Sequence, residues 1–197
     1  MKRYYEEELP HGYTEASTVD ANDKKSSLKI RIASLITSVA LINVFFFSYV
    51  LPRINEFNDS FGFVVLKIVG FVILYMIYII LHELTHGLIY KIFTKKKLTF
   101  DFKPPAASCG VPDIYVYRVT SLLSLFAPLT LFSIVFAVLF FVISDPLSKA
   151  LIFLLFTFHI SGCSGDIYSI GLFLFKFKDP ATLRKDTGPK QIYYTKG

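Results

Sequence analysis

Residues 68–90 read IVGFVILYMIYIILHELTHGLIY and are bounded by Lys67 and Lys91. A helix of that length rises about 1.5 Å per residue and covers the roughly 30 Å hydrocarbon core of a bilayer. Yet His82, Glu83 and His86 lie inside it. The stretch therefore predicts a membrane-spanning helix that carries chemistry. The span as a whole runs from Phe63 to Phe93. Working outward, Ile32–Leu51, Val119–Ser144 and Leu147–Phe177 have the same blocked apolar character. The predicted fold class is an all-α membrane protein, a bundle of four transmembrane helices. The second and fourth spans exceed the required length, so tilt or extension beyond the lipid is expected.

Composition agrees. The 197-residue chain is 53% hydrophobic and 18% charged, against about 45–50% and about 25% for soluble domains. That excludes a small soluble enzyme and a disordered chain. Two cysteines, Cys109 and Cys163, exclude a disulfide-stapled scaffold. The net charge of +6 gives no reason to invoke nucleic acid, because topology accounts for it.

Lys and Arg set that topology. Six precede the first span (Lys2, Arg3, Lys24, Lys25, Lys29, Arg31) and six lie between spans two and three (Lys91, Lys95, Lys96, Lys97, Lys103, Arg118). Six more follow the fourth span's apolar core (Lys176, Lys178, Arg184, Lys185, Lys190, Lys196). The other two loops hold only Arg53, Lys67 and Lys149. Both termini and the middle loop are therefore expected to be cytoplasmic. Glu6, Glu7 and Glu8 and the lack of an early apolar core argue against a cleaved signal peptide. The expected organisation is a polar cytoplasmic tail over 1–31, a membrane domain over 32–177 and a polar, mobile tail over 178–197. The expected location is a cell membrane, crossed several times, as in a bacterial plasma membrane. No internal repeat points to an inverted-repeat transporter.

The middle loop carries strand signals. Leu98–Lys103 alternates apolar and polar residues, Pro104-Pro105 ends the run, and Val111–Tyr117 is β-branched and aromatic. The expectation is a short hairpin of these two runs at the cytoplasmic interface, with an aromatic-anchored loop as the alternative.

His82-Glu83-Leu84-Thr85-His86 is H-E-x-x-H on a helix. Positions i and i+4 share one face, so both imidazoles can reach one Zn²⁺. The Glu between them is placed to take a proton from water on the metal. Random placement of four His and six Glu gives this motif only a few times in about a thousand chains. A carboxylate at membrane depth costs about 2.5–3.5 kcal/mol even on lenient scales and calls for a partner. A catalytic zinc needs a third protein ligand. The candidates are His11, His159, Cys163 and Asp166. His82 and His86 lie nine and five residues before Lys91, and Asp166 lies ten before Lys176. All three then sit about 7–15 Å from cytoplasmic helix ends. Asp166 is the expected third ligand on this depth match.

Ser161, Gly162, Ser164 and Gly165 surround it, and small residues let helices approach closely. His159 lies two turns from Asp166 on the same face, either as a substrate or oxyanion contact or as a packed histidine. Cys163 is either a ligand or a small buried residue, and Cys109 has no clear role. Pro128 is expected to kink the third span, with Ser121, Ser124 and Ser133 facing the bundle.

His82–Gly87 and the Gly165-Asp166 element resemble the intramembrane zinc metalloproteases of the site-2 protease type. More closely, they resemble the bacterial zincin-like peptidases assigned to a domain of unknown function. The resemblance covers about residues 62–175. It implies zinc held by His82, His86 and Asp166, with Glu83 as base, and a membrane protein or peptide as substrate. The third-ligand stretch departs from the site-2 pattern of Asn, Pro and Leu-Asp-Gly, reading His-Ile-Ser-Gly-Cys-Ser-Gly-Asp, and no PDZ-like segment is present. A substrate would have to be unwound, and an edge strand at Leu98–Lys103 or Val111–Tyr117 could hold it extended. The competing readings are a metal transporter and a non-catalytic metal-binding scaffold. A bis-histidine haem fits poorly, since His82 and His86 share a helix.

Overall fold

The computed structural model describes residues 4–20, 23–103 and 106–197. Pro104-Pro105 and the topology charges Lys2 and Arg3 lie outside the described residues. The elements run β1 (Tyr5–Glu6), β2 (Tyr13–Asp20), α1 (Lys24–Phe45), α2 (Phe61–Thr94), β3 (Thr99–Lys103), β4 (Ala106–Gly110), β5 (Tyr115–Tyr117), α3 (Arg118–Val142), α4 (Pro146–Gly162), α5 (Ser164–Gly171), β6 (Leu183–Asp186) and β7 (Lys190–Lys196).

Among the described residues, three helical segments are long and apolar enough to cross a membrane, or four if Pro146–Gly162 and Ser164–Lys176 form one broken span. Their outward faces are apolar: Leu66 is 65% and Ile134 64% exposed, which suits lipid rather than water. α1 continues through a π turn at Phe46–Val50 into a 3₁₀ turn at Leu51–Glu56. Pro52 explains the change, because it brings no N–H to the ladder. α2 ends where Lys95 turns left-handed at φ 57°. The Lys95 N–H closes back on the Lys91 carbonyl at 3.0 Å, as in an αL cap.

The all-α expectation is corrected, for the helices come with two sheets. Five antiparallel strands lie in the order β1-β5-β6-β7-β2, and β3 and β4 form a separate hairpin. Both expected polar tails contribute strands. β2 pairs with β7 from Tyr13↔Lys196 to Asp20↔Lys190. Tyr, Thr, Val and Ile supply the strand preference there, and Leu183 and Tyr193 are fully buried. The expected hairpin partner is also corrected. Thr99–Lys103 pairs with Ala106–Gly110, while Tyr115–Tyr117 joins β1 and β6 in the larger sheet. Ala-Ala-Ser-Cys-Gly has little intrinsic strand preference. Its neighbours fix it: a Cβ on Gly110 would lie 2.4 Å from the Gly188 nitrogen, and Val111 N–H donates to the Asp186 carbonyl at 2.8 Å.

The chain divides into two compact units. One comprises Arg31–Tyr78 and Leu129–Ser164, the other Met1–Ile30, Ile79–Pro128 and Gly165–Gly197. In the first, Phe45 stacks on Phe153 at 3.9 Å between centroids. Lys67 bridges Asp59 at 2.8 Å and Asp145 at 2.9 Å, and Asp145 caps α4 through Ser148 N–H. In the second, Tyr90, Val111, Ile114 and Val116 form a core beside the larger sheet. Arg118 donates to the Phe173 carbonyl at 3.2 and 3.1 Å, in the π turn Leu172–Lys176 that follows α5.

Candidate metal centre

His82 and His86 stand one turn apart on α2, with ring centroids 5.0 Å apart. Both are buried, at 8% exposure. Asp166 lies in the first turn of α5, where the helix dipole favours a carboxylate. Its Oδ2 is 3.3 Å from His82 Nε2 and 3.5 Å from His86 Nε2, and one ligand atom from each residue falls within 4.8 Å of the others. Four-coordinate zinc with bonds of about 2.0–2.1 Å has ligand–ligand edges of roughly 3.3–3.4 Å. Both N···O distances lie close to that edge.

The hydrogen-bond partner of His86 sharpens the fit. Its Nδ1 is 2.9 Å from the backbone carbonyl of Ser124 on α3. A carbonyl only accepts, so Nδ1 carries the hydrogen. In the neutral ring Nε2 then presents a lone pair to the Asp166 carboxylate. Lone pair against carboxylate is repulsive alone; a proton on Nε2 or a metal ion relieves it, and two imidazoles with one carboxylate are a donor set that fits a divalent metal. It is also the pattern in which a metal-bound imidazole gives its other N–H to a carbonyl.

Glu83 lies near the Cys109 backbone N–H on β4. The close approach of the hairpin depends on Gly87. A Cβ there would lie 2.9 Å from Cys109 Sγ and 3.1 Å from Leu98 Cδ1. Burial, reinforced by the nearby Glu83 and Asp186 charges, pushes the Cys109 thiol up to about 12. Cys109 thus stays protonated at neutral pH and acts as a buried spacer.

A polar network supports this region. Tyr90, one turn beyond His86, donates to Asp186 Oδ2 at 2.6 Å. Arg184, 1% exposed, bonds Tyr90 and Asp186 and reaches Gln191 Oε1 at 3.4 Å. Ser169, three residues after Asp166, donates to the same Gln191 oxygen at 2.8 Å. The network thus ties α2 just past His86 to α5 just past Asp166. Counting charges hid it, because Arg184 read as one more cytoplasmic cation. The available signal was Arg-x-Asp on a strand, which puts both side chains on one face.

The remaining candidates have partners of their own. His11 is exposed in the turn between β1 and β2. His159 is fully buried in the other unit, with Tyr78 Oη 2.8 Å from Nδ1. Ser133 Oγ is 3.1 Å and the Leu129 carbonyl 3.3 Å from Nε2. Phe132, Phe136 and Phe156 surround the ring. These are the partners of a packed histidine. Cys163 is buried at the end of α4, its Sγ 3.5 Å from His159 Nδ1. Gly162 and Gly165 have open space where a Cβ would stand. Close packing against a neighbour does not account for them; they flank the break between α4 and α5, where glycine is a poor helix former. Pro128 lies inside an uninterrupted α3, and Ser121 and Ser124 are buried.

The family described as "putative zincin peptidase" matches residues 75–181, which takes in α2 from Tyr75, the β3–β4 hairpin, α3, α4 and α5. No curated relative and no solved structure matches the chain.

Proposed function

The chain belongs to the family described as "putative zincin peptidase", and from that premise we propose that it is a zinc-dependent peptidase whose site lies within a membrane. In this reading His82, His86 and Asp166 hold the zinc and Glu83 is the general base. The observation that carries it is the pair of Nε2···Oδ2 distances, 3.3 and 3.5 Å, which match a tetrahedral zinc edge of about 3.3–3.4 Å.

Zinc, when bound, supplies Lewis acidity to the scissile carbonyl and makes water a better nucleophile. The chain's own groups do the rest. Glu83 takes the proton of the attacking water and hands it to the leaving nitrogen. The Cys109 N–H near the Glu83 carboxylate is placed to steady its charged form. Ser124, through His86, holds one ligand ring in place. The β4 edge beside Glu83 is suited to hold an unwound substrate by strand addition. A site-2 protease mode of action, four spans and cytoplasmic termini belong to the same proposal. The alternation of Lys and Arg and the apolar helices support it. The substrate class is then a membrane protein or a peptide at the bilayer, in a multi-pass protein of a bacterial plasma membrane.

The test is elemental analysis of detergent-purified protein beside hydrolysis of a membrane-peptide panel. Near one zinc per chain is expected in wild type and Glu83→Gln, with loss in His86→Ala and Asp166→Ala. Hydrolysis in Glu83→Gln should fall about 10²–10⁴-fold. Full hydrolysis in Glu83→Gln, or no zinc in wild type after reconstitution, would refute the proposal. Zinc with no hydrolysis, but with metal flux into proteoliposomes, would favour a transporter.

A further inference from the structure

We infer that Pro128 is a positioning residue for His86, acting through the Ser124 carbonyl. The inference rests on the zinc reading above for its consequence, and on geometry for its cause. In a regular helix the N–H of residue 128 would bond the carbonyl of residue 124. Proline has no N–H, and its ring crowds the carbonyl four residues back, tilting it away from the axis. That carbonyl is the one that accepts from His86 Nδ1 at 2.9 Å. Ser124 is fully buried, so water is not at hand to replace a lost partner. The Ser124 hydroxyl adds weak contacts, 3.4 Å to His86 Nδ1 and 3.4 Å to the His86 carbonyl. The shorter and better donor–acceptor match is the ring N–H on the freed carbonyl.

The consequence is chemical. With Nδ1–H bound to Ser124, the neutral His86 ring has one tautomer and one orientation, its Nε2 lone pair turned to Asp166. A helical N–H at position 128 would compete for the same carbonyl. The proline that a sequence reading assigns to kinking or packing thereby sets which nitrogen of His86 can bind a metal.

The experiment compares wild type, Pro128→Ala and Pro128→lactic acid, introduced by nonsense suppression. Lactic acid makes an ester at position 128, so it removes the ring without restoring an N–H. Two quantities are read: zinc affinity by chelator competition, and His86 ring ¹⁵N shifts in the metal-free protein. Pro128→Ala should weaken zinc by about 10-fold or more, the usual range for losing an outer partner of a ligand histidine, and mix the two tautomers. Pro128→lactic acid should keep the wild-type affinity and the single Nδ1–H tautomer. Unchanged affinity and shifts in Pro128→Ala would overturn the inference. Equal losses in both variants would overturn it too, by assigning the effect to the ring's packing. If wild type takes up no zinc, the peptidase proposal falls, and the ¹⁵N shifts still decide the role of Pro128.

Discussion

His86 and His159 are both buried histidines on long helices, and their ring nitrogens are wired in opposite senses. His86 gives Nδ1–H to a carbonyl and turns Nε2 toward a carboxylate. His159 gives Nε2–H to the Leu129 carbonyl and Ser133, and takes the Tyr78 hydroxyl on Nδ1. In the second case protein donors and acceptors complete the inventory. In the first, a neutral ring's lone pair and a carboxylate share one point, which a metal ion or a proton completes. Burial alone does not mark a site; the balance of donors and acceptors around the buried group does.

The largest expected effect breaks the comparison outright. His86→Ala should lose the metal, and hydrolysis should fall to background. His159→Ala should keep near one zinc per chain. Its cost should be stability, about 2–4 kcal/mol, from the cavity and from the unpaired Tyr78 and Ser133 hydroxyls. Zinc at 100-fold over its dissociation constant should stabilise wild type and His159→Ala alike by about 2.7 kcal/mol, read as a shift in detergent thermal melts. If His159→Ala loses that shift, His159 belongs to the metal site and the contrast is wrong.

The contrast also explains what could be read in advance. Unbroken apolar length announced the helices, and H-E-x-x-H announced the pair of imidazoles one turn apart, because both are local patterns. Asp166 was legible because a carboxylate in an apolar span needs a reason. The larger sheet was not legible. Its pairings, such as Tyr13↔Lys196, join opposite ends of the chain, and no local period encodes a partner that distant. Arg184 was hidden for a related reason. A buried arginine and a surface arginine are the same letter, and only the folded position of Asp186 and Tyr90 tells them apart. His159 stayed undecided for want of Tyr78 and Ser133, which pattern alone does not bring to it.

The Arg184–Asp186–Tyr90 network offers the next test, in the same unit as His86. Asp186→Ala leaves Arg184 buried without its carboxylate and should cost about 3–5 kcal/mol. Tyr90→Phe removes one hydroxyl and should cost about 1–3 kcal/mol. Because the network ties the helices bearing His86 and Asp166, Tyr90→Phe should also weaken zinc, whereas His159→Ala should not. Unchanged zinc affinity in a folded Tyr90→Phe protein would confine the network to stability.

Gly87→Ala probes the hairpin's approach to Glu83. The new Cβ would meet Cys109 Sγ at 2.9 Å and Leu98 Cδ1 at 3.1 Å, so the hairpin must shift. The expected cost is about 1–3 kcal/mol of stability. Since the hairpin beside Glu83 would move, the turnover rate should drop while zinc content stays near one per chain. A fall in zinc with no fall in turnover per zinc would place the effect on the ligands instead.

The smallest effect lies in the unit that holds His159, where Asp145 is another group completed by protein partners. The Ser148 hydroxyl, then Lys67 and the Ser148 N–H, hold its carboxyl down to about 2, against about 3.9 for a free aspartate. A depressed carboxyl stabilises the fold above its unfolded value and loses that contribution as pH falls through its folded value. The window is therefore about pH 4 down to pH 2. The Asp145 side chain is 41% exposed, so solvent screening limits the contribution to about 1 kcal/mol. Asp145→Asn should be less stable than wild type at neutral pH and should converge on it near pH 2. Zinc should not alter that difference, because the group belongs to a completed inventory. A zinc-dependent difference between the two proteins, measured by thermal melts across that range, would couple Asp145 to the metal centre and erase the distinction between the two histidine environments.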